Sequence, residues 1–155
     1  MAAMLEMLGA WPGAVLLQRS GTAYLLVNAA HILGIALLLG AILPLDLRLA
    51  GLAGRAPLAA IAPFLIRAAA SGLALAVLTG LWLFTVKPGE YLGNPAFLAK
   101  LGLILLALGN IALQHRGLGA VTAGAEPGPR TRVLAALSGA IWLGVLVAGR
   151  WIGFV

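Results

Sequence analysis

The run from Tyr24 to Leu43, YLLVNAAHILGIALLLGAIL, constrains this chain most: it carries no charge and a single ionisable side chain, His31. In a helix, about twenty apolar residues cover about 30 Å, the thickness of a bilayer's hydrocarbon core. Lipid offers no hydrogen bonds to an open backbone, so such a run folds as a helix that satisfies its own N–H and C=O groups. Tyr24, Asn28 and His31 recur at helical spacing and share a face. An ionisable group at that depth is expensive to bury and marks a functional site by default.

The remaining chain has the same character. Apolar residues make up 63% and charged residues 9%, against about 25% charged in a soluble domain, and the mean hydropathy is +1.09. These values identify an integral membrane protein with room for about four spans. The expected fold is all-α, an integral membrane four-helix bundle forming a single transmembrane domain over 1–155. The spans fall near 24–43, 68–86, 96–115 and 133–149, after a short interfacial N-terminal segment over 1–20.

That segment is broken at Pro12 and too short on either side to span, so it is expected along the interface with Trp11 at headgroup level. It carries Glu6 and no basic n-region, unlike a cleavable signal. Pro44 is expected to close the first span, leaving Asp46, Arg48 and Arg55 in a loop where Asp46 and Arg48 contribute to a surface ion pair. Arg67 lies about 28 Å from Val86, so the second span is Ala68 to Val86. Pro57 to Ile66 is then a lead-in segment bent at Pro63. Lys87 to Glu90 make the next turn, Asn94-Pro95 open the third span, and Lys100 can snorkel to the surface. A Gly- and Pro-rich loop is expected over 117–131.

The ten Lys and Arg residues sit singly near the ends of apolar runs, without the basic cluster of a nucleic-acid binder. Six of them (Arg48, Arg55, Arg67, Arg116, Arg130, Arg132) fall on one side and four (Arg19, Lys87, Lys100, Arg150) on the other. The positive-inside rule then places both termini outside the cytoplasm of a bacterial inner membrane. With no cysteine, disulfides and thiolate metal sites are excluded. No Gly-rich loop precedes a Lys-Ser/Thr pair, so nucleotide chemistry has no support. Small residues at four-residue spacing, Gly72, Ala76 and Gly80, Ala36 and Gly40, and Gly144 and Ala148, are candidates for close helix packing.

Counting depth at 1.5 Å per residue puts His31 and Thr79 each about 10 Å below one surface. Asn28, Lys100 and Trp142 fall near the same layer, and these five residues form the candidate cofactor site. His115 lies about 20 Å away in depth, beside Asp46, Arg48, Arg67 and Arg132, which argues against one haem held between His31 and His115. His31 can serve as an axial ligand of haem b, as a copper ligand, or as a hydrogen-bond partner of Asn28, Thr79 or a backbone carbonyl with no cofactor. His115 can be a metal ligand or a plain helix end. Asn110 shares a face with Lys100 and Gln114, which suits a bundle-facing hydrogen bond. Met4 and Met7 are further candidates for soft copper ligation.

The stretches HILGIALLLGAILPLDLRLAGL (31–52), LALAVLTGLWLF (73–84), NPAFLAKLGLILLALGNIALQHR (94–116) and LSGAIWLGVLVAGRWIGF (137–154) resemble a family of small bacterial four-span membrane proteins of unassigned function. More distantly they resemble the copper resistance protein D domain and HemJ-type protoporphyrinogen oxidases. The resemblance implies a haem- or copper-associated inner-membrane bundle, with His31 and Lys100 nearest to functional positions. Electron transfer would follow, with the lipid bilayer, a membrane redox partner or a second copy of the chain as partners. The alternatives are copper handling and a cofactor-free subunit of a membrane complex.

Overall fold

A computed structural model describes residues 2–52 and 57–155. Arg55, used in the charge balance, lies outside the described residues, as does the side chain of Arg116. The chain folds into α1 (Ala2–Ala10), α2 (Pro12–Arg19), α3 (Gly21–Leu49), α4 (Leu58–Phe84), α5 (Pro88–Gly93), α6 (Pro95–Thr122) and α7 (Pro129–Trp151), ending in a 3-10 turn over Ile152–Phe154. Among the described residues, α3, α4, α6 and α7 supply four helices long and apolar enough to cross a membrane. The protein is an all-α, multi-pass membrane protein.

Local chemistry sets the helix starts. Ser20 caps α3 by accepting from the Ala23 N–H at 3.2 Å, and Asn94 caps α6 by accepting from the Phe97 N–H at 3.1 Å. Pro95 and Pro129 occupy first-turn positions of α6 and α7, where a missing N–H costs nothing. Just after α3 and α6, Gly51 (φ +81°) and Gly124 (φ +99°) take the left-handed conformation that ends helices.

Three boundaries differ from expectation. Pro44 does not close the first span, because α3 runs through it to Leu49. Pro44 is exposed, so its ring meets no neighbouring helix, and proline inside a membrane helix is tolerated when the rest of the ladder holds. Pro63 likewise lies inside α4, so the lead-in and the span are one helix. The loop expected over 117–131 contracts to 123–128, because α6 continues to Thr122. Each Gly in that helix end costs about 1 kcal/mol of propensity, less than leaving a turn of backbone groups unpaired.

The two helical hairpins, α3 with α4 and α6 with α7, carry most of the packing, and α3–α7 and α4–α6 contacts join them. At the α3–α4 crossing a Cβ on Gly34 would stand 2.6 Å from the Ala76 backbone N, and one on Gly72 would stand 2.5 Å from the Leu38 N. No side chain fits there, so the two backbones touch. The pair Ala36 and Gly40 does not make this contact: both are exposed, and Gly40 has open space around it. The face of α3 that packs is Gly34, Leu38, Ala41, Ile42, Leu45 and Leu49.

Both termini lie at one end of the bundle. Trp11 Nε1 donates to Thr85 Oγ1 at 3.0 Å, Trp82 Nε1 donates to the Gly13 carbonyl at 3.0 Å, and Gln18 Nε2 donates to the Val86 carbonyl at 3.1 Å. Asn94 Nδ2 donates to the Val155 carbonyl at 3.0 Å. The N-terminal helices are thus docked on the α4–α5 turn. There the half-buried Tyr91 phenol is pushed above its ordinary pKa, first by burial and then by the neighbouring Tyr24. Lys87 and Glu90 form an exposed ion pair at 3.0 Å, a type that contributes little.

Because the α3–α4 crossing admits no Cβ, Gly72→Val should cost about 1–3 kcal/mol by overpacking. Gly40→Ala should be close to neutral. Thermal unfolding of the detergent-solubilised variants, followed by circular dichroism, checks the contrast, and equal midpoints would contradict it.

Candidate functional site

His31 sits one turn before Gly34 on α3, so the glycine crossing presses its ring against α4. A Cβ on Gly80 would stand 2.9 Å from His31 Cε1, which makes Gly80 the seat of the imidazole. His31 Nδ1 lies 3.0 Å from Thr79 Oγ1. The Thr79 hydroxyl has one proton, and the Leu75 carbonyl takes it at 2.6 Å, with the Ala76 carbonyl at 3.4 Å. Thr79 therefore accepts from the ring, and Nδ1 is the donor. The Ala76 carbonyl faces the imidazole as a further acceptor. The heavy-atom partners put a proton on Nδ1; in the neutral ring that tautomer leaves the lone pair on Nε2.

Lys100 belongs to the same layer. Its ammonium acts on His31, and a Cβ on Gly149 would stand 3.5 Å from Lys100 Nζ. The layer thus joins His31 of α3, Thr79 and Gly80 of α4, Lys100 of α6 and Gly149 of α7.

The other expected members lie elsewhere. Asn28 is exposed on α3, because the α3 face turned to the bundle runs through His31 and Gly34. Trp142 is 1% exposed, packed in the core near Leu38, Ala41 and Ile42. Its neighbour one turn along α7, Ser138, faces Asp46, which is fifteen residues or about 22 Å along α3 from His31. Along α7, Trp142 is seven residues, or about 10 Å, from Gly149 in the His31 layer and four residues, or about 6 Å, from Ser138. Counting back from Arg150 places it too shallow because Gly149, one residue earlier, already lies beside Lys100 in that layer. His115 is exposed near the opposite end, next to Gln114, which also faces Asp46. It does not share a site with His31. Met4 and Met7 are 64% and 74% exposed on α1, and among the described residues no group of three or more His, Asp or Glu side chains converges on one point.

A second polar group was missed. Asp46, expected in a surface ion pair, is 3% exposed inside the bundle, and neither carboxylate oxygen accepts a hydrogen bond. Gln114 and Ser138 face it, both buried. The signal was present in the sequence: Leu38, Ala41, Ile42, Leu45, Asp46 and Leu49 continue one helical stripe straight through Pro44. Asn110 does make the expected bundle-facing bond, its Nδ2 donating to the Leu134 carbonyl at 3.0 Å.

No family model, curated protein or solved structure matches this chain.

Thr79 couples α4 to α3 through His31. Thr79→Val should remove that bond and destabilise the solubilised protein by about 0.5–1.5 kcal/mol, in the range of interhelical hydrogen bonds in membranes. Thr79→Ser should retain most of the stability, and a Thr79→Val protein as stable as the parent would show that the bond carries no weight.

Proposed function

We propose that this protein is a bacterial inner-membrane bundle that holds haem b, or a related metal-centred redox cofactor, on Nε2 of His31 and takes part in electron transfer. The observation that carries this reading is the Nδ1 to Thr79 bond at 3.0 Å. A ligating histidine is commonly oriented by a partner on its other nitrogen, which sets both tautomer and ring plane. Here that partner is a hydroxyl already committed to the Leu75 carbonyl at 2.6 Å, so the ring must donate to it and Nε2 is left to bind.

The residues present would suit a haem held through one histidine. His31 supplies a neutral imidazole, Lys100 supplies an ammonium able to neutralise a propionate, and Gly80 and Gly149 keep α4 and α7 free of side-chain bulk beside them. When bound, such a group would supply one-electron redox chemistry. The chain's own residues orient the ligand, balance charge and exclude water. The separation of His31 from His115 favours a group that would be held by one histidine rather than by two. By the charge balance of the connections, both termini face away from the cytoplasm. A membrane redox partner or a second copy of the chain would complete the transfer path.

Oxidised and reduced absorption spectra of the detergent-purified protein, expressed with adequate haem, test the proposal. A Soret band is expected in the parent and absent from His31→Ala, while His115→Ala should retain it. Protein that is colourless under these conditions would overturn the haem reading. Copper found by metal analysis in the colourless protein, and lost in His31→Ala, would point to copper handling at the same imidazole.

A further inference from the structure

The second polar group lies between α3, α6 and α7 and plays no part in the proposal above. At its centre is Asp46, 3% exposed, with both carboxylate oxygens unpartnered. Ser138 of α7 (1% exposed) and Gln114 of α6 (7% exposed) face the carboxyl, and neither Ser138 Oγ nor Gln114 Nε2 has another partner. Gly139 lets the α7 backbone come alongside, since a Cβ there would stand 3.9 Å from Asp46 Cβ. One turn from Gln114, Asn110 spends its Nδ2 on the Leu134 carbonyl and leaves Oδ1 bare. One turn from Ser138, Trp142 leaves Nε1 bare. Buried polar atoms are almost always partnered in native proteins, so a set of open ones on three helices calls for an explanation.

The electrostatics narrow the explanation. Among the described residues, the charged or titratable groups toward this end are Arg48 on α3, Arg67 on α4, His115 on α6, Arg130 and Arg132 on α7, and the exposed Glu126 in the α6–α7 connection. Arg67 Nε donates to the Pro63 carbonyl, Arg132 Nε donates to the Pro127 carbonyl, and His115 is exposed. Among the described residues, the side chains acting on the Asp46 carboxyl are Ser138 and Gln114. A buried carboxylate without a facing cation is strongly disfavoured, whereas a neutral carboxyl can both donate and accept. Ser138 and Gln114 offer both kinds of partner.

We propose that Asp46 is an exchangeable proton-binding site inside the membrane bundle, formed with Ser138 and Gln114 and served from the end that carries the α3–α4 connection. In the binding step a hydronium ion gives up one O–H bond and is released as water, and its proton forms an O–H bond on one Asp46 carboxylate oxygen. The charge is neutralised, no heavy-atom bond changes, and no redox partner is needed. The new O–H donates to Ser138 Oγ, and the other oxygen accepts from Gln114 Nε2. Asp46 lies three residues from Leu49, the last residue of α3, or about 5 Å along the axis. Gln114 is followed by the exposed His115, so the route to water at this end is short.

Infrared spectroscopy of the full-length protein in nanodiscs tests the site directly. Only four acidic side chains exist in the chain, and Glu6, Glu90 and Glu126 are exposed, so a protonated-carboxyl C=O band at neutral pH is assignable. The band is expected in the parent, absent from Asp46→Asn, moved in frequency in Ser138→Ala, downshifted after transfer to D2O, and reversibly lost as pH is raised. Both variants are first checked for monodisperse elution. If Asp46→Asn fails that check, the frequency change in Ser138→Ala decides. No such band in the parent, a band retained by folded Asp46→Asn or unmoved in Ser138→Ala, or no response to D2O would overturn the proposal. Loss of the band on adding sodium or potassium at fixed pH would also overturn it, in favour of an alkali-cation site.

Discussion

The structure depends on two glycines that let α3 and α4 touch backbone to backbone. In lipid no hydrophobic force draws helices together, and association relies on close packing and interhelical hydrogen bonds. Gly34 and Gly72 supply the first, since a Cβ at either would fall within 2.6 Å of the opposing backbone. The contact then determines the second. His31 is one turn before Gly34, and Thr79 and Gly80 are within about a turn of Ala76. Closing the backbones leaves the imidazole nowhere to lie except against Gly80 with Nδ1 on Thr79. The ring's tautomer thus follows from the way two helices cross.

Below that crossing the bundle changes character. The His31 layer, near the end that holds both termini, contains an imidazole and the Lys100 amine. The Asp46 layer, about 22 Å farther along α3, contains a carboxyl, a hydroxyl and two amides with open valences. The apolar core around Leu38, Ala41 and Ile42 separates them, with Trp142 set at its lower edge. On the readings proposed above, one layer handles an electron and the other a proton. The separation would let each be altered without disturbing the other.

Much of this was legible in the residues because membrane helices leave few choices. Length and hydropathy locate the four spans, and a rise of 1.5 Å per residue was enough to put His31, Thr79 and Lys100 at one depth. It succeeded there because Tyr24 and Val86 lie near true helix ends. It failed for Trp142, because the chosen end of the count, Arg150, adjoins Gly149, which itself lies in that layer. Pro44 has the larger consequence: proline is a helix stop in water, but α3 continues through it, which puts Asp46 in the core rather than in a loop. The packing face of α3 was also misjudged. Spacing alone cannot distinguish Gly34 from Ala36 and Gly40, because which small residue meets a partner depends on helix rotation, and that is set by α4.

The central claim is that the helix crossing holds His31 as a neutral imidazole with its proton on Nδ1 and its Nε2 lone pair open. Nitrogen-15 NMR of cofactor-free protein, labelled at the ring nitrogens of histidine and assigned with His115→Gln, reads this directly. The His31 signals should show a protonated, pyrrole-type Nδ1 and an unprotonated, pyridine-type Nε2 at neutral pH. A proton on Nε2, or a rapid average of the two tautomers, would contradict it.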